Sequence, residues 1–140
     1  DQHECIRDIA DFGDNVGVLL ELTKSNEMNV ADLASECLIL LFMASPREAT
    51  TGFLTNLSKV SAILESWSRG VPHLLLQRIL HALGYSCRQY LSYSIILSLS
   101  KPEILKIEAI VSEIKSSGVP ALADAALRVA LELQRLPRRI

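Results

Sequence analysis

Three histidines, three cysteines and a serine-rich stretch are the residues of this 140-residue chain that could do chemistry. His3, His73 and His81 have no cysteine or carboxylate partner at metal-ligand spacing. His73 and His81 are eight residues apart, two helical turns, too far to chelate one ion. Cys5, Cys37 and Cys87 each fall on an apolar helical face with nothing nearby to lower a thiol pKa, so buried and unreactive thiols are expected. The serines from Ser92 to Ser100 lack a G-x-S-x-G setting and a neighbouring histidine–acid pair. Gly13, Gly17 and Gly52 fit neither a P-loop nor a dinucleotide fingerprint. Glu21, Glu65, Glu108 and Glu113 read as solvated charge on polar helix faces. The expectation is no enzyme, no metal and no cofactor.

Composition narrows the class. Hydrophobic residues make up 49% and charged residues 21%, enough apolar surface for one domain with a real core. Fourteen basic and sixteen acidic residues leave a net charge of −2, a balance that does not advertise a nucleic-acid or membrane surface. An odd, widely spaced set of three cysteines fits a reducing compartment. The longest dense apolar run, Cys37 to Ala44, is too short to span a bilayer, and an intracellular protein, cytoplasmic or nuclear, is expected. The chain opens Asp1-Gln2-His3 without methionine, which suggests a piece of a longer protein.

Apolar spacing of three and four residues recurs along the whole chain, and no sustained period-2 alternation appears. The fold class is therefore all-α. Helices are expected over Gln2–Phe12 and Val16–Thr23. A central one from Asn29, its expected N-cap, to Ala44 would carry Leu33, Ala34, Cys37, Leu38 and Leu41 on its face. Ser45-Pro46-Arg47-Glu48 and Ser100-Lys101-Pro102-Glu103 are capping boxes with proline in the first turn. The first opens a short helix ending near Leu54, after which Asn56 caps one bearing Leu57, Val60, Leu64 and Trp67, closed by Gly70. Pro72 opens a helix with Leu75, Leu76, Ile79, Leu80 and Leu83 on its face, expected to stop at Gly84, followed by another over Tyr85–Ser98. The second box opens a helix bearing Ile104, Ile107, Val111 and Ile114, ended by Gly118. Pro120 opens the last, with Ala125, Ala126, Val129, Ala130 and Leu133, stopped by Pro137.

These pieces repeat. Leu57/Val60/Leu64/Trp67 returns about 47 residues later as Ile104/Ile107/Val111/Ile114. The face of the central helix returns after Pro72 and again after Pro120, at offsets of about 42 and 50. Gly-Val-Pro-x-Leu stands twice, at Gly70–Leu74 and Gly118–Leu122. Units of roughly 40 to 50 residues match the size of armadillo or HEAT repeats rather than the 34-residue tetratricopeptide. Approximate repeats over 1–44, 45–85 and 86–140 follow, as one domain.

With these motifs the chain resembles the armadillo family. Its Gly-Val-Pro-x-Leu segments look like the turn that starts the second helix of many armadillo repeats, and Val30-Ala31-Asp32-Leu33-Ala34 looks like the start of a third helix. The Gly-Asn-Leu-Ala ending of that third helix is missing, and here Gly-Val-Pro precedes what read as third helices. The resemblance implies a right-handed α-solenoid of about three repeats whose third helices line a concave partner-binding surface.

Under that alignment Glu36, Arg78 and Arg128 fall at equivalent positions beside the core stripe, a ladder able to hold an extended peptide, with scattered solvated charge as the competing reading. Arg135, Arg138 and Arg139 form a basic tail, near which Arg128 and Arg88 could lie. It could meet an acidic peptide or a phosphate backbone, or be a linker. The expected function is a scaffold or adaptor module that binds a partner peptide or helix through its concave face or an apolar end, or self-associates there. The alternatives are a nucleic-acid-associated repeat, and a regulatory domain of a larger enzyme such as a kinase. Reversing Arg78 to glutamate is expected to weaken partner binding while moving the melting temperature by a couple of degrees at most.

Overall fold

The computed structural model describes residues 15–92 and 99–136. The expected Gln2–Phe12 helix, the last residues of the expected Tyr85–Ser98 helix and the Pro137 stop lie outside them. Within them the chain forms seven α-helices and no strand: α1 Asn15–Thr23, α2 Met28–Ala44, α3 Pro46–Thr55, α4 Leu57–Glu65, α5 His73–Ser92, α6 Lys101–Lys115 and α7 Pro120–Leu133. A 3-10 turn, Ser66–Ser68, follows α4.

The helices stack in two layers. α1, α4 and α6 pack in series as one layer, and α2, α5 and α7 as the other, with α3 wedged against α1, α2 and α5. This is the architecture of an armadillo-type α-solenoid, in which each unit touches only its neighbours. The apolar spacing explains it most plainly in α6, where Ile104, Ile107, Val111 and Ile114 are fully buried. Each such side chain removed from water contributes roughly 1.5–3 kcal/mol. α6 starts where the sequence marks it, because the Ser100 Oγ accepts from the Glu103 backbone N–H at 3.4 Å. The Glu103 carboxylate does not complete the box. It accepts from Ser61 Oγ across the α4–α6 interface, also at 3.4 Å.

Gly70 and Gly118 carry φ of +85° and +81°, the left-handed region that glycine enters without cost. Each is followed by Val-Pro and a new helix, which is the physical content of the repeated Gly-Val-Pro. Gly84 is different. α5 runs straight through it to Ser92, and the expected stop is corrected: an added Cβ there would sit 3.6 Å from Val129 Cγ2. That distance is ordinary van der Waals contact with α7, and α5 crosses the expected repeat boundary at 85/86.

Three local expectations also change. α2 begins at Met28 with Glu27 in the cap position, so Asn29 lies inside the helix. Leu33 is 60% exposed, and the buried face of α2 is Ala31, Ala34, Ser35, Leu38, Leu41 and Phe42. Ser45 and Asn56 stand at helix starts without capping through their side chains, and Asn56 Nδ2 instead donates back to the Gly52 carbonyl at 2.7 Å.

Phe42 ties three helices together, meeting Phe53 of α3 and Tyr85 of α5 edge-on at centroid distances of 5.7 and 5.6 Å. At the other side of α3, a Cβ on Gly52 would lie 2.7 Å from Val16 Cγ2 of α1. Gly52→Ala is therefore expected to destabilise by about 1–3 kcal/mol through overpacking. Val16→Ala in the same chain should recover part of the loss, read as a shift in the thermal midpoint by circular dichroism. A single Gly52→Ala variant as stable as the parent would show that α1 moves aside freely.

Candidate functional site

Burial sets the register of the α2–α5–α7 layer. Ala31, Ala34, Ser35, Leu38 and Phe42 are buried on α2; so are Leu76, Ile79, Leu80, Leu83 and Cys87 on α5, 45 residues on. A further 46 residues on, Leu122, Ala125, Ala126, Val129 and Leu133 are buried on α7. The outward stripe then reads Leu33, Glu36, Leu40, Met43 on α2, at three- and four-residue steps. On α5 it reads Arg78, His81, Tyr85, Arg88, and on α7 Asp124, Leu127, Leu131, with Gln134 just past its end.

This register replaces the expected offsets of 42 and 50, and it separates the expected ladder. Glu36 now aligns with His81 and Leu127, while Arg78 aligns with Leu33 and Asp124. Glu36 and Arg78 nevertheless meet across the α2–α5 interface. Arg78 Nη1 donates to Asp32 Oδ1 at 2.7 Å, to Ser35 Oγ at 2.8 Å and to the Asp32 carbonyl at 3.2 Å, and Nη2 donates to Glu36 Oε1 at 3.2 Å. Its side chain is only 18% exposed. Arg78 is thus a clamp between repeats, both of its terminal nitrogens engaged. Arg128 stands apart, 71% exposed and paired with Asp124 of its own helix at 3.3 Å. Arg135 lies 4.0 Å from Glu132, one turn back. Arg138 and Arg139 are outside the described residues.

Beside the clamp a groove runs between α2 and α5. One section, of about 410 Å³, is lined by Glu36, Ile39, Leu40, Arg78 and His81. Ile39 and His81 also line the next section, of about 280 Å³, where Met43, Tyr85 and Arg88 join Phe42 and Ala82. The walls are mainly apolar. Arg88 is exposed and forms no ion pair among the described residues. Sequence reasoning placed Arg88 with the C-terminal tail and missed its place across from Met43. The 45-residue register is the signal that puts it there. A second cavity, also about 410 Å³, opens between the α1–α2 and α4–α5 loops, where Lys24, Met28 and Arg69 contribute to its lining.

The reactive side chains stay apart. His73 and His81 are exposed, and among the described residues no three His, Cys, Asp or Glu side chains gather as a metal site. No helix there is long and apolar enough to cross a membrane. Cys87 is fully buried, and burial, then the nearby Glu132 charge, push its thiol up to about 12 against the opposing pull of Arg88. Thiol reagents at neutral pH should leave Cys87 unlabelled in the folded chain and modify it after denaturant, with half-buried Cys37 reacting faster. Peptide mass mapping reads this directly, and rapid native labelling of Cys87 would contradict the packing of α5 on α7.

A family model described as the RUNKEL ARM-repeat domain matches residues 1–139. The chain is also 56% identical, over 145 residues, to the serine/threonine-protein kinase RUNKEL of Arabidopsis thaliana. That match takes in 99% of this chain and 11% of the relative, so the chain spans about a ninth of that protein's length. No solved structure matches. The expectation of no enzyme is corrected by this relative, which is a protein kinase by name. A segment that aligns with 11% of a longer protein carries no information on chemistry encoded in the remainder.

Proposed function

From the membership of this chain in the RUNKEL ARM-repeat family, we propose that it serves as a protein-interaction domain within a protein-kinase architecture, where it binds a segment of another protein or of the longer chain. The observation that carries this reading is the outward stripe of the α2–α5–α7 layer. Leu33, Met43, Leu127 and Leu131 stand there 60%, 75%, 47% and 56% exposed, and Met43 also lines the groove between α2 and α5. Large apolar side chains gathered on one face, with polar ones between them, are what a peptide- or helix-binding surface needs. Ion pairs cross the interfaces of both layers, Arg78 with Asp32 and Glu36 in this one, and Glu21–Lys59 at 3.9 Å and Glu65–Lys106 at 2.8 Å in the other, the last raising the Lys106 pKa above the usual lysine value.

Affinity capture from a native extract tests the reading. Leu127→Lys/Leu131→Lys should lose the proteins that the parent chain retains, and Leu105→Lys on α6, exposed to a similar degree, should keep them. Nuclease treatment should change neither result. Equal capture by all three forms would remove this face from consideration, and loss on nuclease treatment would move the reading to nucleic acid.

A further inference from the structure

We propose that the α2–α5 groove selects a protein segment carrying bulky apolar side chains with a carboxylate beside them, the carboxylate pairing with Arg88. The proposal rests on the interaction-domain reading and names the chemistry of the partner. The two ends of the groove differ in charge. At one end Asp32 and Glu36 pair with Arg78 alone among the described residues, so two carboxylates share one guanidinium and the residual charge is negative. At the other end Arg88 forms no ion pair among the described residues, the nearby Glu132 having Arg135 at 4.0 Å. Between them Ile39, Leu40, Met43 and Tyr85 line an apolar floor.

Arg78 and Arg88 are ten residues apart on one helix, about 15 Å. That length takes four or five residues of extended chain, or about three turns of helix. An acidic residue near Arg88 gains a cation that no ion pair among the described residues engages, whereas one near Glu36 meets like charge. Arg88 therefore sets both the preference for acid and the end of the groove at which the acid sits. A wholly basic segment would find its one favourable position at the Glu36 end and leave Arg88 facing like charge.

The chain's two methionines make a clean test, because Met43 lines the groove and Met28 lines the separate loop cavity. With 13C-methyl methionine in the whole 140-residue chain, two synthetic peptides are titrated by NMR. Both carry the same leucine-rich centre, one flanked by aspartates and one by lysines. The acid-flanked peptide should move the Met43 methyl signal, leave Met28 in place, and bind about tenfold more tightly than the lysine-flanked one. Arg88→Glu should invert that order, and Arg88→Gln should level it. Arg88 is exposed, so both variants should keep the parent far-UV spectrum. Movement of Met28 alone, no movement of either methyl at millimolar peptide, or a ranking indifferent to Arg88 overturns the proposal. If these appear while extract capture still depends on Leu127 and Leu131, the partner chemistry assigned here is wrong and the interaction face stands. Loss of both removes the underlying reading.

Discussion

Leu38→Asp is expected to abolish the folded state. Leu38 is 1% exposed at the middle of α2 and occupies the position that Leu83 and Val129 hold in the next two units. An aspartate there has no cation in the surrounding core, and an unpaired buried charge costs several kcal/mol even after it takes up a proton. A domain of this size has about 5–15 kcal/mol of total stability, so that cost together with the lost leucine packing removes most of it. Leu38→Ala is the control. It should remain helical with a loss of roughly 2–5 kcal/mol. Far-UV circular dichroism and size-exclusion chromatography decide the matter, and a Leu38→Asp chain that still melts cooperatively near the parent temperature would mean α2 is not central to the core.

Arg78→Glu is expected to cost roughly 2–3 kcal/mol, a fall of about 10 °C in the thermal midpoint, and this replaces the near-neutral outcome anticipated from sequence. The guanidinium joins a carboxylate, a buried serine hydroxyl and a backbone carbonyl of α2, and reaches a second carboxylate. A glutamate loses all of these and adds a third negative charge beside Asp32 and Glu36. The cost stays moderate because both carboxylates are at least half exposed and solvent screens them. Arg78→Met, which keeps the stem and removes the charge, should cost less than the reversal. High salt should narrow the gap between the two, because screening weakens the repulsion. If Arg78→Glu melts within two degrees of the parent, the clamp contributes nothing and the residue reverts to a solvated charge.

The same residue shows where sequence reading stops. The faces of α6 and α7 were legible because serine, glycine and proline mark their starts and stops and the isoleucines of α6 leave one face to choose, whereas α4 ends at Glu65 and Trp67, expected on its face, falls in the 3-10 turn. The register between units was not. Shifting an apolar helical face by three or four residues rotates it by only about 60° or 40°, so offsets of 42 and 50 fit the pattern nearly as well as 45 and 46. Leu33 was misplaced for this reason, since on a helix rich in leucine the pattern alone does not say which leucine faces in. Gly84 looked like a stop because local signals do not reveal a helix arriving from 45 residues away, here with Val129 at its closest. The candidate site suffered most. A groove between two helices depends on register, and only with 45 does Arg88 come to stand across from Met43.

The touching of neighbours alone also governs how the chain gains and loses its order. Asp32 and Arg78 are 46 positions apart, Ser61 and Glu103 only 42, so the bonds between units close loops of about one unit rather than of the whole chain. Loop closure of that size is a modest and repeated entropic step, which favours rapid assembly from any unit outward. The converse is graded loss. Amide exchange should be slowest in α4 and α5, the middle helices of the two layers, and faster in α1, α6 and α7 at their ends. The groove joins one of the protected helices to α2, so a bound segment would slow exchange mainly in α2 and extend the protected region by one helix.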